Sequence, residues 1–107
     1  CDTFAPFGPW LATPDEIKDP NNLKMWLKVN GETMQSSNSS NLHYKIPFLL
    51  SYVSQFMTLL PGDIISTGTP PGVGMGMDPQ VYLQAGDLVE LGIDQLGSSS
   101  QKVMPSV

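Results

Sequence analysis

The sequence is poor in several residue types at once, and each shortage closes a class of function. It holds one cysteine, at position 1, and one histidine, so neither an internal disulfide nor a Cys/His zinc constellation can form. It has no arginine, and its five lysines stand apart at positions 18, 24, 28, 45 and 102. Against ten acidic residues they leave a net charge of −5, the wrong sign and the wrong distribution for a phosphate backbone, so nucleic acid is not an expected partner. No apolar run approaches the about 18 to 20 residues that span a bilayer, and no basic-then-apolar signal opens the chain. A soluble, cytoplasmic protein with no membrane partner is the expectation. At 107 residues, starting on Cys1 rather than methionine, the chain suits one small domain or a piece of a larger one.

Proline and glycine, ten of each, are abundant, and they punctuate the chain. Between Asp2 and Trp10 two prolines and a glycine sit among aromatics, which predicts an extended segment with Phe4, Phe7 and Trp10 entering a core. Thr13-Pro14-Asp15-Glu16 has the order of a capping box and predicts a single turn. Leu23, Met25, Leu27 and Val29 alternate with polar residues or Trp26 and run into Asn30-Gly31, a hairpin signal. A plain two-residue turn would set Val29 against Glu32 and Leu27 against Met34, with the return strand ending near Gln35. The polar run Ser36 to Asn41 reads as a loop, and Leu42 to Ile46 as a short strand or turn.

Pro47 opens a predicted helix over about 47–60. Leu49, Leu50, Val53, Phe56, Met57 and Leu60 share one stripe, the pattern of a helix packed on a sheet. After it, Pro61-Gly62-Asp63 reads as a type II turn delivering Ile64-Ile65, a short strand buried on both faces. Val81-Tyr82-Leu83 and Leu88 to Ile93 read as further strands, Ala85-Gly86-Asp87 and Gly97 to Ser100 as turns, and the tail after Met104 as frayed. The fold class is therefore α+β, rich in β, forming one unit.

The stretch most suited to a site follows Ile65. In Ser66-Thr67-Gly68-Thr69-Pro70-Pro71, Gly68 removes a side chain between two hydroxyls, so a ligand can approach the backbone while Thr67 or Thr69 hydrogen-bonds it. Gly72, Gly74 and Gly76 then make a tight loop, but no lysine follows as a phosphate loop requires. The plainer alternative is a rigid corner whose glycines serve only the turn. Elsewhere the chemistry is thin. His43 is the only base candidate at neutral pH, and a lone histidine is more often structural than catalytic. Asp2, Asp15, Glu32, Asp63, Asp87, Glu90 and Asp94 are scattered, and most are explained as turn formers or solvated strand faces.

Taken in order, Cys1-Asp2-Thr3-Phe4-Ala5-Pro6-Phe7-Gly8-Pro9-Trp10, Leu27-Lys28-Val29-Asn30-Gly31-Glu32, Gln35, Ser51-Tyr52-Val53-Ser54, Pro61 through Gly74, Gly86-Asp87 and Leu96-Gly97 closely resemble the C-terminal half of the fumarylacetoacetate hydrolase family. Ser66 through Gly76 and Leu91-Gly92-Ile93 look most like the branch labelled ureidoglycolate lyase or 2,4-diketo-3-deoxy-sugar-acid hydrolase. The resemblance implies a mixed β-roll, incomplete in this chain, with residues 1–107 forming the C-terminal part of one catalytic domain, and a homodimer as the usual assembly. It implies a Mg²⁺ or Mn²⁺ enzyme that hydrolyses a carbon–carbon bond in small 2-oxo or 2,4-diketo carboxylic acids, or a lyase as the branch label has it. The alternatives are an isomerase/decarboxylase of 2-hydroxyhepta-2,4-diene-1,7-dioate and, in another class, a non-catalytic β-rich binding module.

By the same resemblance Thr69 contacts the substrate carboxylate and Gly68 gives access to it. The family's metal carboxylates and its water-activating His-Glu pair lie upstream of the matching segment, so no catalytic or metal-ligating residue is assigned to any position here. The chain alone is expected to be inactive. It departs from the family's habit at Leu42-His43-Tyr44 and at Ser98-Ser99-Ser100, neither of which is read as functional.

Overall fold

The Asn30-Gly31 pair does what its chemistry predicts, since both residues take positive φ (51° and 82°), the signature of a type I′ turn. It joins β1 (Lys24–Val29) to β2 (Glu32–Asn38). The computed structural model describes residues 3–105. Cys1, Asp2, Ser106 and Val107, and with them the terminal thiol, one acidic candidate and the end of the tail, lie outside the described residues.

Val29 pairs with Glu32 as expected, but a bulge between Leu27 and Lys28 puts Gln35, not Met34, opposite Leu27. The extra residue on β2 reverses the alternation beyond it. β2 also runs on through Ser36, Ser37 and Asn38, where a loop was expected, and only Ser39–Asn41 leave the ladder, as one 3₁₀ turn. Backbone pairing with Lys24, Met25 and Trp26 outweighs the turn preference of serine and asparagine. Ser39 is buried, accepting from the Leu23 N–H at 2.9 Å and donating to the Pro20 carbonyl at 2.8 Å.

β3 (Leu88–Ile93) pairs antiparallel with β1, and β4 (Gly97–Lys102) with β3, giving the order β2-β1-β3-β4. The turn expected at Gly97–Ser100 falls instead at Asp94–Leu96, where Leu96 N–H reaches the Ile93 carbonyl at 3.0 Å. Asn30 pins the hairpin to β3: its Oδ1 accepts from Leu88 N–H and its Nδ2 donates to Asp87 Oδ1, both at 2.9 Å. The other Asp87 oxygen accepts from Gln84 N–H at 2.7 Å. The Gln84 N–H first, and the Asn30 amide second, hold the Asp87 carboxyl below its ordinary range.

A carboxyl whose pKa is lowered by folding contributes stability above the ordinary pKa and loses it as pH falls through the lowered one. Asp87→Asn should therefore unfold at a lower temperature than wild type at pH 7. The gap should shrink below about pH 4. Thermal melts of the two proteins from pH 7 to 3 check this, and a gap of constant size would refute it.

Pairing puts Met25, Leu27, Val29, Val89, Leu91 and Ile93 on one face of the sheet, all half-buried. The opposite face carries Lys24, Lys28, Glu90 and Lys102, with the Trp26 ring laid across Gly92 and Lys28 Nζ 5.4 Å from that ring's centre. The long connection from β2 to β3 holds α1 (Ile46–Val53). The helix is shorter than the predicted 47–60. Past Val53 the chain tightens into i→i+3 bonds, Gln55 N–H to Tyr52 and Phe56 N–H to Val53, while Ser54 Oγ donates back to the Ser51 carbonyl at 2.9 Å.

Several apolar segments expected in a core are not in one. No residue of α1 is buried, and of the stripe predicted to lie on the sheet Leu50, Phe56, Met57 and Leu60 are exposed and only Leu49 and Val53 half-buried, so the stripe is largely uncovered. Ile64-Ile65 and Val81-Tyr82-Leu83 form no strand, and Ile64 is 71% exposed rather than buried on both faces. Phe4, Phe7 and Trp10 are also exposed, although the Trp10 ring rests against Gly97. Among the described residues only Leu23 is a buried apolar side chain. Apolar surface of this extent calls for a covering layer.

Candidate functional site

The two x-x-Gly-Asp corners are built alike. Asp63 and Asp87 each return a backbone N–H to the residue three before, Leu60 and Gln84, and each carboxylate accepts that residue's N–H at 2.7 Å. Both acids are thus spent on their turns. Glu16 serves the Thr13 turn, in which Thr13 N–H and Glu16 N–H bond reciprocally to Glu16 Oε2 and the Thr13 carbonyl, and the Thr13 side chain hydrogen-bonds Asp15 and lowers its carboxyl pKa. His43 is exposed and lies edge-on to Tyr44 at 4.6 Å, the end of an aromatic row that continues through Phe48, Tyr52 and Phe56. Among the described residues no three of His, Cys, Asp or Glu converge. These residues therefore do not by themselves fit a metal site.

The glycine loop divides between the two readings. A Cβ on Gly72 would stand 2.0 Å from the Met34 carbonyl oxygen, and one on Gly74 1.8 Å from that of Val81. Both glycines are explained by close backbone packing against β2 and the 81–83 segment. Gly68 differs. It has φ +105°, and a Cβ there would meet nothing within 4 Å, so open space lies where its side chain would be.

Thr69 comes next, exposed, and its Oγ1 accepts a hydrogen bond from Gln35 Nε2 at 3.0 Å. The same nitrogen donates to the Pro70 carbonyl at 2.7 Å. Gln35 lines two grooves on the apolar face of the sheet. One, of about 230 Å³, runs under Gly72, Val73 and Tyr82, and the other, of about 150 Å³, is bounded by Met25, Leu91, Ile93 and Pro70. Thr69 and Gly68 line neither groove and stand beside Pro70. Sequence reasoning singled out Thr69 and Gly68 but gave Gln35 no role, because the bulge that turns Gln35 inward has no local signature.

The chain matches the family described as fumarylacetoacetate (FAA) hydrolase C-terminal over residues 1–104. It belongs to the fumarylacetoacetate hydrolase family. A 2,4-didehydro-3-deoxy-L-rhamnonate hydrolase from Sphingomonas sp. (strain SKA58) is 55% identical over 103 residues, which cover 95% of this chain and 36% of that protein. The solved maleylpyruvate hydrolase of Sphingobium sp. SYK-6, in complex with manganese (II) ion and pyruvate, superposes with a TM-score of 0.82 at 41% identity, covering 91% of this chain and 34% of that one. A probable 2-hydroxyhepta-2,4-diene-1,7-dioate isomerase from Mycobacterium abscessus superposes at 0.86 with 34% identity, covering 94% and 38%. This chain therefore spans little more than a third of the length of the family members it matches. Its antiparallel sheet and single helix are the C-terminal architecture of the fumarylacetoacetate hydrolase fold.

Proposed function

We propose that the protein to which this chain belongs is a divalent-metal-dependent hydrolase or lyase of small 2-oxo or 2,4-diketo carboxylic acids, with Thr69 holding the substrate carboxylate and Gly68 leaving room for it. The observation that carries the reading is the 55% identity to a hydrolase of a 2,4-didehydro-3-deoxy acid. The manganese and pyruvate held by the maleylpyruvate hydrolase point to the same substrate class, since pyruvate is a small 2-oxo acid. Within this chain the role fits an exposed threonine next to a glycine whose missing side chain opens onto free space. An exposed hydroxyl can donate one hydrogen bond to a carboxylate oxygen.

The reading extends to Mg²⁺ or Mn²⁺ as the metal, a homodimer as the assembly and the cytoplasm as the location; no helix among the described residues is long and apolar enough to cross a membrane. Residues 1–107 are proposed as the C-terminal part of a single catalytic domain. Likeness to the probable dienedioate isomerase favours a second reading within the same family, isomerisation or decarboxylation of a 2-hydroxydienedioate.

The test is a substrate panel on the whole protein with Mg²⁺ or Mn²⁺ supplied. Addition of water across the C3–C4 bond of a 2,4-diketo acid gives pyruvate and a carboxylic acid, and pyruvate release is the expected result. Turnover of the dienedioate alone would favour the second reading. No turnover of either would favour a non-catalytic β-rich module.

A further inference from the structure

We infer that Gln35 is a positioning residue that occupies an acceptor site of the Thr69 hydroxyl from the sheet side and leaves its proton free to donate to a ligand acceptor. The inference rests on the placing of Thr69 at the substrate given above, and it adds which residue holds that hydroxyl from the sheet side. Without the extra residue at Met34, Gln35 would pair with Trp26 and project from the polar face; with it, Gln35 pairs with Leu27 and enters the apolar face. Only 9% of it stays exposed, and a carboxamide so placed needs partners.

The partners fix its orientation. The Pro70 carbonyl can only accept, so the amide atom 2.7 Å from it is the NH₂ and not the oxygen. That NH₂ has a second hydrogen, and Thr69 Oγ1 at 3.0 Å takes it. Thr69 therefore accepts from below. Its own proton has only the Pro70 carbonyl at 3.5 Å, too long to hold it, and stays available on the exposed side. A carboxylate or carbonyl oxygen satisfies that proton. An ammonium or other pure donor does not. Because Gln35 is neutral, it orients the hydroxyl without adding a negative charge that would repel an anionic substrate.

The experiment measures pyruvate affinity, with Mn²⁺ present, for the whole protein and for Thr69→Val, Gln35→Met and the double variant, together with KM and kcat on a 2,4-diketo acid. Gln35→Met keeps length and removes both donors. It should weaken pyruvate binding and raise KM by about five-fold or more, with a smaller change in kcat. In the Thr69→Val background the same change should matter less than about two-fold, because the group through which it acts is gone. Independent, multiplying effects would mean that Gln35 only ties the loop to the sheet, and would overturn the inference.

If Gln35→Met does not fold, Gln35→Glu decides. Ionised or protonated, its carboxyl cannot donate to both the Pro70 carbonyl and Thr69, so pyruvate should bind more weakly than to wild type, and binding as tight as wild type would overturn the inference. Weak binding by Thr69→Val with Gln35→Met unchanged would sink this inference alone. Thr69→Val at wild-type affinity would sink the reading of Thr69 as well.

Discussion

Thr69→Ala in the whole protein is expected to lower kcat/KM for a 2-oxo acid substrate by about ten-fold to a hundred-fold while metal affinity stays within about two-fold of wild type. The magnitude follows from one hydrogen bond to a charged acceptor, about 1.5–3 kcal/mol net, with each 1.4 kcal/mol worth a factor of ten. Stability should barely change. Gln35 loses one acceptor on the substitution but keeps the Pro70 carbonyl, so its buried amide is not orphaned. Metal affinity should hold because no three potential ligands converge among the described residues, Thr69's neighbours included. Thr69→Ser, which keeps the hydroxyl, should recover most of the loss. Steady-state kinetics with a metal titration read the result, and an unchanged kcat/KM would remove Thr69 from the site.

Gly74→Ala is expected to be strongly destabilising, costing about 3 kcal/mol or more. Its φ is ordinary, so the cost is steric alone: the new methyl would stand 1.8 Å from the Val81 carbonyl oxygen, a backbone atom that cannot swing aside. The hydrogen bond from Val81 N–H to the Gly74 carbonyl, 3.0 Å long, would have to part as the two segments separate. Gly72→Ala should be similar, since it meets the Met34 carbonyl at 2.0 Å and carries φ +109° besides. Gly76→Ala is the control. Its nearest contact would be a Val73 methyl at 3.6 Å, an ordinary separation, and it should melt near wild type. Thermal unfolding of the three variants of the whole protein separates them. Equal melting for all three would mean that the loop does not pack as described.

These two outcomes divide the glycine-rich stretch into its parts. Gly72 and Gly74 hold the loop against β2 and the 81–83 segment, which accounts for them without a ligand. Gly68 and Thr69 sit one step earlier, where the backbone faces open space. A substitution that damages melting and one that damages kinetics are therefore expected only a few residues apart.

Features set by residues close in sequence were legible. Asn30-Gly31 and the alternation before it give the hairpin, Thr13 to Glu16 the capped turn, Pro61-Gly62-Asp63 and Ala85-Gly86-Asp87 their corners, and Val89, Leu91 and Ile93 the strand β3. What failed depended on a distant partner. Ser98 to Ser100 look like a turn, but β3 offers them a ladder and they take it. Ile64-Ile65 look like a buried strand, but among the described residues no segment pairs with them. The same holds for the stripe on α1, whose apolar character is plain and whose cover is not supplied by the described residues.

The sequence by itself determined the family, through the order of its motifs, and it determined the corners and the first hairpin, because turns depend on φ preferences that a residue carries wherever it stands. Tertiary structure alone decided which face Gln35 occupies and what Thr69 can do there. One inserted residue in a strand inverts the side of the sheet that the following side chains meet, and the hydrogen bond that Thr69 accepts comes from a partner brought to it from 34 positions away.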